Sequence, residues 1–296
     1  MKIKKIISII IMVSINWAIG LKALEIPQKA EVIALSRTGI AANLDASLNP
    51  ASLANIRPHV GISSNTWYAD LKGHKSTSLW GDGAIRFISI ETIGLDDIEY
   101  HIDNTVEPIG YVEAKWIAFD FGSSINLDKF VKDSKNFDIG YNLKLNYSKL
   151  HTERYWGYTF DIGLNKKIGD KLNFGFVAKN LGKEYSESNT ITIDHYLGIG
   201  TAYKLDIVSH NKFYMHMDIY FDWIHSNENN IYKLGFKTNF PYINFMLGSS
   251  YSKGVYSDFS YGLSFEFKNW MVVFGSLTHE NPALGTPKCV ELRKYF

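Results

Sequence analysis

From Asp138 onward, apolar residues recur at every second position over unusually long runs. Phe137, Ile139, Tyr141, Leu143, Leu145 and Tyr147 share one parity, and Asp138, Gly140, Asn142, Lys144, Asn146 and Ser148 the other. Trp156, Tyr158, Phe160, Ile162 and Leu164 repeat the pattern, as do Phe213 to Trp223 and Phe259 to Phe267. A period of two belongs to the extended strand, whose successive side chains point to opposite faces. Soluble strands are typically about five or six residues long. These match the ~9–11 tilted residues that cross a bilayer. Aromatic residues end several apolar faces, as Phe137 with Tyr147 or Phe213 with Trp223, where interfacial girdles belong. The opposite face is rich in Gly, Ser, Asn and Asp, which suits a polar lumen. A soluble all-β sandwich is the competing arrangement, but strand length and aromatic placement favour a transmembrane antiparallel β-barrel.

The aromatic content now has a place. Tyr, Phe and Trp make up 15% of the 296 residues, and most are expected on the outward, lipid-facing parity. Ample apolar residues and a net charge of +1 exclude a disordered chain and give no sign of a nucleic-acid partner. The lone cysteine, Cys289, excludes a disulfide framework and a cysteine-cluster zinc site.

Residues 1–23 read as a secretory signal. Lys2, Lys4 and Lys5 precede the apolar run Ile6 to Ile15, and Leu21-Lys22-Ala23 suits cleavage. The run is broken by Ser8 and Ser14 and is too short for a comfortable helical span. Cleavage near Ala23 removes Lys2, Lys4, Lys5 and Lys22 and leaves the mature chain at a formal charge of −3.

About fourteen strands are expected over 59–296, the first three being the weakest. The run 83–95 changes parity near Ile88, which predicts a bulge there. With both barrel ends on the periplasmic side, Gly81-Asp82, Lys166 to Asp170, Asp206 to Asn211, Phe240-Pro241 and Lys268-Asn269 become short periplasmic turns, with a longer one near Leu127 to Asn136. Asp96 to Tyr111, Leu181 to Ile193, Ile224 to Asn229 and Glu280 to Thr286 become longer extracellular loops. This sorting does not alternate everywhere along the chain.

Residues 24–58 lack the alternation. A helical turn is expected over Ala30 to Leu35, and a second short helix after Asn49, which is a sound N-cap before Pro50 at the first helical position. Such a segment is either an arm on the periplasmic rim or a plug. Eight strands enclose only side chains and sixteen to eighteen enclose a channel, so about fourteen leave room for a compact plug.

The run Gly39 to Ala54, with Asn49, Pro50, Ala51 and Leu53, resembles the "NPA-x-LA" plug segment of the PorV/PorQ family of FadL-like outer-membrane barrels. Tyr158-Thr-Phe-Asp-Ile-Gly-Leu164 followed by Leu172-Asn-Phe-Gly-Phe-Val-Ala-Lys-Asn-Leu-Gly182 resembles a hairpin of that family. Leu284 to Phe296 resembles its last loop and strand. The resemblance implies a plugged fourteen-stranded barrel and two kinds of role. FadL-like members carry hydrophobic small molecules across the outer membrane; PorV-like members serve type IX secretion by holding or shuttling protein cargo. The first is the leading expectation and the second the alternative.

The C-terminus carries a further resemblance. Phe296 is terminal, Leu292 and Val290 share its parity, and only Lys294 interrupts the row. That pattern resembles the signal read by the barrel-insertion machinery. The expected partners are therefore outer-membrane lipid, that machinery, and a hydrophobic small molecule or a secreted protein. The expected location is the outer membrane of a Gram-negative-type bacterium.

Inward parity gathers charge. Asp120, Asp138, Asp161, His216, Asp218 and Asp222 face the expected lumen, with Lys144, Lys179 and Lys204 as partners. They either line a permeation path or form a solvated network against the plug. His225-Ser226-Asn227 holds the residue types of a hydrolase relay, but contiguous residues cannot form one and a polar turn explains them. His151, His195 and His279 show no metal spacing, and no phosphate-binding glycine motif occurs. The chain is read as a non-enzyme with no cofactor and no metal.

Overall fold

A computed structural model describes residues 26, 28–68, 71–82, 84–100, 108, 110–129, 136–187, 190–210, 213–226, 229–253, 256–279 and 285–296. The expected signal segment and the first two residues after it lie outside these. No helix among the described residues is long and apolar enough to cross a membrane.

The strands are β1 (His59–Thr66), β2 (Lys72–Trp80), β3 (Ala84–Tyr100), β4 (Gly110–Asn126), β5 (Phe137–Leu150), β6 (Glu153–Ile168), β7 (Leu172–Ser186) and β8 (Thr190–Thr192). They continue as β9 (Tyr196–His210), β10 (Phe213–Ser226), β11 (Asn230–Asn239), β12 (Ile243–Ser252), β13 (Tyr256–Phe267), β14 (Trp270–His279) and β15 (Lys288–Tyr295). Short β8 pairs only with the end of β7. The other fourteen form the wall, each antiparallel to its neighbours. β15 pairs with β1 from His59 opposite Tyr295 to Thr66 opposite Lys288, which closes the barrel and leaves no free edge.

Connections alternate throughout between two rims. The near rim holds both barrel ends, where the Phe296 N–H donates to the Pro58 carbonyl at 3.3 Å. Its connections are 81–83, 127–136, 169–171, 211–212, 240–242 and 268–269; those of the far rim are 67–71, 101–109, 151–152, 187–195, 227–229, 253–255 and 280–287. Each expected short turn thus falls on the near rim and each expected longer loop on the far rim, and the two sets alternate; only their bounds differ, because strands run further than their apolar patterns. β3 reaches Tyr100, β7 reaches Ser186 and β9 reaches His210.

The bulge expected near Ile88 is not there. β3 pairs with β4 without interruption from Ala84 to Leu95, and the register shifts only between Leu95 and Ile98. The parity change has another cause. Ile85 and Phe87 face inward and are buried in an apolar cluster with Ala46, Leu53 and Leu79, whereas Ile88 and Ile90 face outward. Packing against an internal segment thus puts apolar residues on both faces of one strand.

Outside, the wall presents Leu145, Tyr147, Trp156, Tyr158, Phe160, Phe221, Trp223, Leu247 and Phe265, all exposed. Monomeric soluble proteins rarely expose apolar patches beyond a few hundred Å². A surface apolar all round a closed barrel is suited to lipid.

Inside lies the N-terminal segment. It starts toward the far rim, where Ile26, like Leu71, packs on the cluster of Ile93, Trp116 and Ala118. It then forms one helical turn, α1 (Ala30–Ala34), against β12 to β15. A 3-10 turn, Pro50–Asn55, follows against β3 to β6. It ends beside the near, or lower, rim, where the Asn55 amide donates to Asp138 at 2.7 Å. A five-residue helix does not hold by itself; here burial holds it, since Ala30, Ala34 and Leu35 are wholly covered.

Glycines make this possible. Gly140 stands opposite Gly163, Gly175 opposite Gly200, Gly235 opposite Gly248 and Gly262 opposite Gly275, all facing inward. A Cβ on Gly140 would strike Pro50 and Ala51, one on Gly163 the Asn49 amide, one on Gly248 the Leu35 backbone, and one on Gly275 the Ala30 carbonyl. These four cross-strand pairs form a belt on which the segment's backbone lies directly.

Candidate functional site

Buried polar ties fix the segment at three heights. Lowest, Glu31 of α1 meets Lys237 of β11 at 2.6 Å and Arg293 of β15 at 2.7 Å. Arg293 also forks onto Glu291 at 2.7 and 2.9 Å. Burial pushes the Glu31 carboxyl up, but the two cations outweigh it and hold its pKa at about 2. At mid-height, Asp222 of β10 accepts the Gly39 N–H at 2.6 Å and the Ile40 N–H at 3.2 Å. Asn49 caps the 3-10 turn by accepting the Ala51 N–H at 3.0 Å, and its own amide donates to the Ile40 carbonyl at 2.7 Å. Toward the far side, Lys29 pairs with Asp45 at 2.5 Å and Lys179 donates to the Ser47 carbonyl. Burial would raise the Asp45 carboxyl, but Lys29 and Lys75 hold it well below the usual carboxylate range.

Two cavities adjoin this segment. The upper one, about 320 Å³, lies between the internal segment, including Lys29 and Arg37 as well as residues 40–53, and the walls of β2 to β7 and β10 to β12. Its polar side carries a buried four-charge network. Lys75 contacts Glu91 and lies 3.9 Å from Asp120, while Lys144 lies 3.3 Å from Glu91 and 3.6 Å from Asp120. Its apolar side is built from Ala46, Leu53, Leu79 and Phe87. The lower cavity, about 370 Å³, is more polar and is lined by Asp138, Asn165, Asp218, Lys204 and Lys237, with Ala42 to Leu44 above. The stretch 40–48 therefore has one cavity on each side: Ala42, Asn43 and Leu44 border the lower, Ile40 and Asp45 to Leu48 the upper.

The sequence-selected residues divide between these spaces. Asp120, Lys144, Asp161 and Lys179 line the upper cavity, and Asp138 and Asp218 the lower. Asp222 lines neither; it is wholly buried on the backbone of Gly39 and Ile40. His216 is half-buried beside Asp218 at 3.8 Å. Asn49, Pro50, Ala51 and Leu53 form and pack the 3-10 turn. At the C-terminus, Val290 and Leu292 point outward and Phe296 is exposed just past β15. His225 and Ser226 end β10, and Asn227 lies outside the described residues. His151 sits in a two-residue connection and His195 is exposed. Among the described residues, no group of three or more His, Cys, Asp or Glu side chains could hold a metal.

Sequence reading missed Lys75, Glu91, Asn142, Glu31, Glu291 and Arg293. Glu291 and Arg293 were within reach, since they alternate with Val290 and Leu292 and so had to face inward. Glu91 sits on β3, whose parity was obscured by Ile85 and Phe87, and Lys75 on β2, which is polar on both faces.

No protein-family model matches the chain, and no curated protein matches it. Solved structures do share its fold. The Pseudomonas putida toluene transporter TodX superposes with a TM-score of 0.62 at 10% identity, covering 92% of this chain and 99% of that one. The Ralstonia pickettii toluene transporter TbuX gives 0.59 at 10% identity, with 90% and 98% covered. A Pseudomonas aeruginosa FadL homologue gives 0.53 at 10% identity, again with 90% and 98% covered. The architecture is that of a FadL-like barrel.

Proposed function

We propose that this chain is an outer-membrane barrel that passes hydrophobic small molecules through its lumen. The observation that carries this reading is the upper cavity of about 320 Å³, part apolar, between an internal segment and the wall. It reaches the size of a small-molecule site, roughly 300 Å³ or more. The apolar outer surface supports membrane residence. The shared fold with toluene transporters supports the substrate class. Passage from the upper to the lower cavity requires residues 40–48 to move, because they lie between the two. The proposal includes export by a signal peptide cleaved near Ala23, insertion through the terminal Val290, Leu292 and Phe296 pattern, and membership of the PorV/PorQ family. The secretion-scaffold alternative finds no support in the solved structures of shared fold.

The test is uptake of radiolabelled toluene by Gram-negative cells with and without the protein, its folding checked by heat-modifiable gel mobility in the membrane fraction. Uptake several-fold above the control is expected. Folded protein with unchanged uptake overturns the transport reading, and a soluble chain without heat-modifiable mobility overturns the barrel itself.

A further inference from the structure

Basic residues cap the apolar outer face at both ends, but in different arrangements. On the near rim each stands between uncharged neighbours. Arg86 lies opposite Trp80 and Ser123, Lys166 opposite Phe137 and Phe174, and Lys294 opposite Val60 and Trp270. Toward the far rim three are in direct register on consecutive strands. Lys115 of β4 faces Lys149 of β5, and Lys149 faces Arg154 of β6. All three share the outward parity of Ile117, Tyr147 and Trp156. Neighbouring strands lie about 4.8 Å apart, so the three cations occupy roughly 10 Å of the wall.

Like charges directly opposite each other destabilise a sheet, and an anion placed among them reverses that cost. Nearby carboxylates do not balance the row. Glu113 lies 3.0 Å from Lys115, and Glu153, of the opposite parity, accepts the Tyr155 hydroxyl. With Glu113 and the exposed Glu187 past the end of β7 both counted, this face still carries net positive charge. Beneath the row the wall turns apolar at once. Ile117, Tyr147 and Trp156 form the next outward row, about 7 Å toward the membrane centre, and Phe119, Leu145 and Tyr158 the one after. All six are exposed, and Trp156 is stacked on Tyr185 at 4.6 Å. An anionic head above and acyl chains below fit this patch. The Arg154 fork matches a phosphate, to which the two lysines add charge.

We propose that the far-rim ends of β4, β5 and β6 hold a phosphate of a lipopolysaccharide molecule in the outer leaflet, with its acyl chains on the two apolar rows. This goes beyond passage through the lumen. It rests only on residence in an outer membrane with the far rim, which carries the longer loops, facing outward.

The test titrates three lipids into the full protein in neutral detergent, with native mass spectrometry reading occupancy and heat-modifiable mobility reporting the fold. The lipids are diphosphoryl lipid A, the same acylated disaccharide without phosphates, and phosphatidylglycerol. Diphosphoryl lipid A is expected to bind about tenfold more tightly than either of the others. Lys149→Gln together with Arg154→Gln should cut that preference to about twofold or less, while Lys166→Gln together with Lys294→Gln on the near rim should leave it intact. Equal binding of the dephosphorylated lipid overturns the phosphate contact. Equal or tighter binding of phosphatidylglycerol overturns lipopolysaccharide as the occupant. A preference that survives the far-rim pair in folded protein, or that the near-rim pair abolishes as well, overturns the site. Each of these results in folded protein leaves the transport reading standing, because that reading depends on the lumen.

Discussion

At the scale of single residues, the lumen is an arrangement of buried charges whose partners come from distant parts of the chain. Arg293 is the densest case, since its guanidinium serves both Glu31 and Glu291. Arg293→Met leaves two buried carboxylates short of a cation and should cost roughly 3–5 kcal/mol. The temperature at which the heat-modifiable band shifts would read this. Glu31 also sets a pH limit. Its folded pKa is about 2 against an ordinary 4.5, so its contribution is complete above 4.5 and is lost as pH falls toward 2. Limited proteolysis of the N-terminal segment in detergent should therefore accelerate on acidification through that window, and Glu31→Gln should flatten the dependence. Asn49 was legible in the sequence because an N-cap before proline has a local rule. Glu31 was not, because its value lies in Lys237 and Arg293, more than two hundred residues away.

At the scale of elements, period-two patterning gave the wall strands because each faces lipid on one side and the lumen on the other. It failed where a strand touches the internal segment, since Ile85 and Phe87 are then apolar for a reason the strand itself does not contain. The glycines carried the missing information. They recur on the inward parity, and read together they trace the course of the segment around the wall. Gly248→Val puts a branched side chain into the Leu35 backbone and should displace the segment. Higher conductance in planar bilayers, with heat-modifiable mobility retained, would register the opening. On the outer face the expectation is different: Phe160→Arg, near the middle of β6, should cost ~2–4 kcal/mol in a liposome folding titration.

At the scale of the whole molecule, the fold was read more fully than the site. Closure and a strand number near fourteen follow from alternation and turn signals, both local. The cavities follow from how residues 28–58 lie inside the barrel, and no periodicity encodes that. Their position also bears on passage. Each cavity alone is closed off by 40–48, so a substitution that frees this stretch should speed uptake and one that tightens it should slow it. Asp222 holds Gly39 and Ile40. Asp222→Ala should therefore raise toluene uptake in the cell assay, while Phe160→Arg, on the outer wall, should leave the rate per folded barrel unchanged.

The internal segment also touches both sides of the seam at which the barrel closes. Gln28 accepts from Ser63 and Asn65 of β1, and Glu31 reaches Arg293 of β15. These are the first and last wall strands to be synthesised, so their pairing has the greatest sequence separation of any in the wall and the highest entropy of loop closure. A segment bound to both edges ties together the two strands whose closure costs most. A chain lacking residues 28–31 is therefore expected to close more slowly with its strands intact, as the rate of appearance of the heat-modifiable band would show.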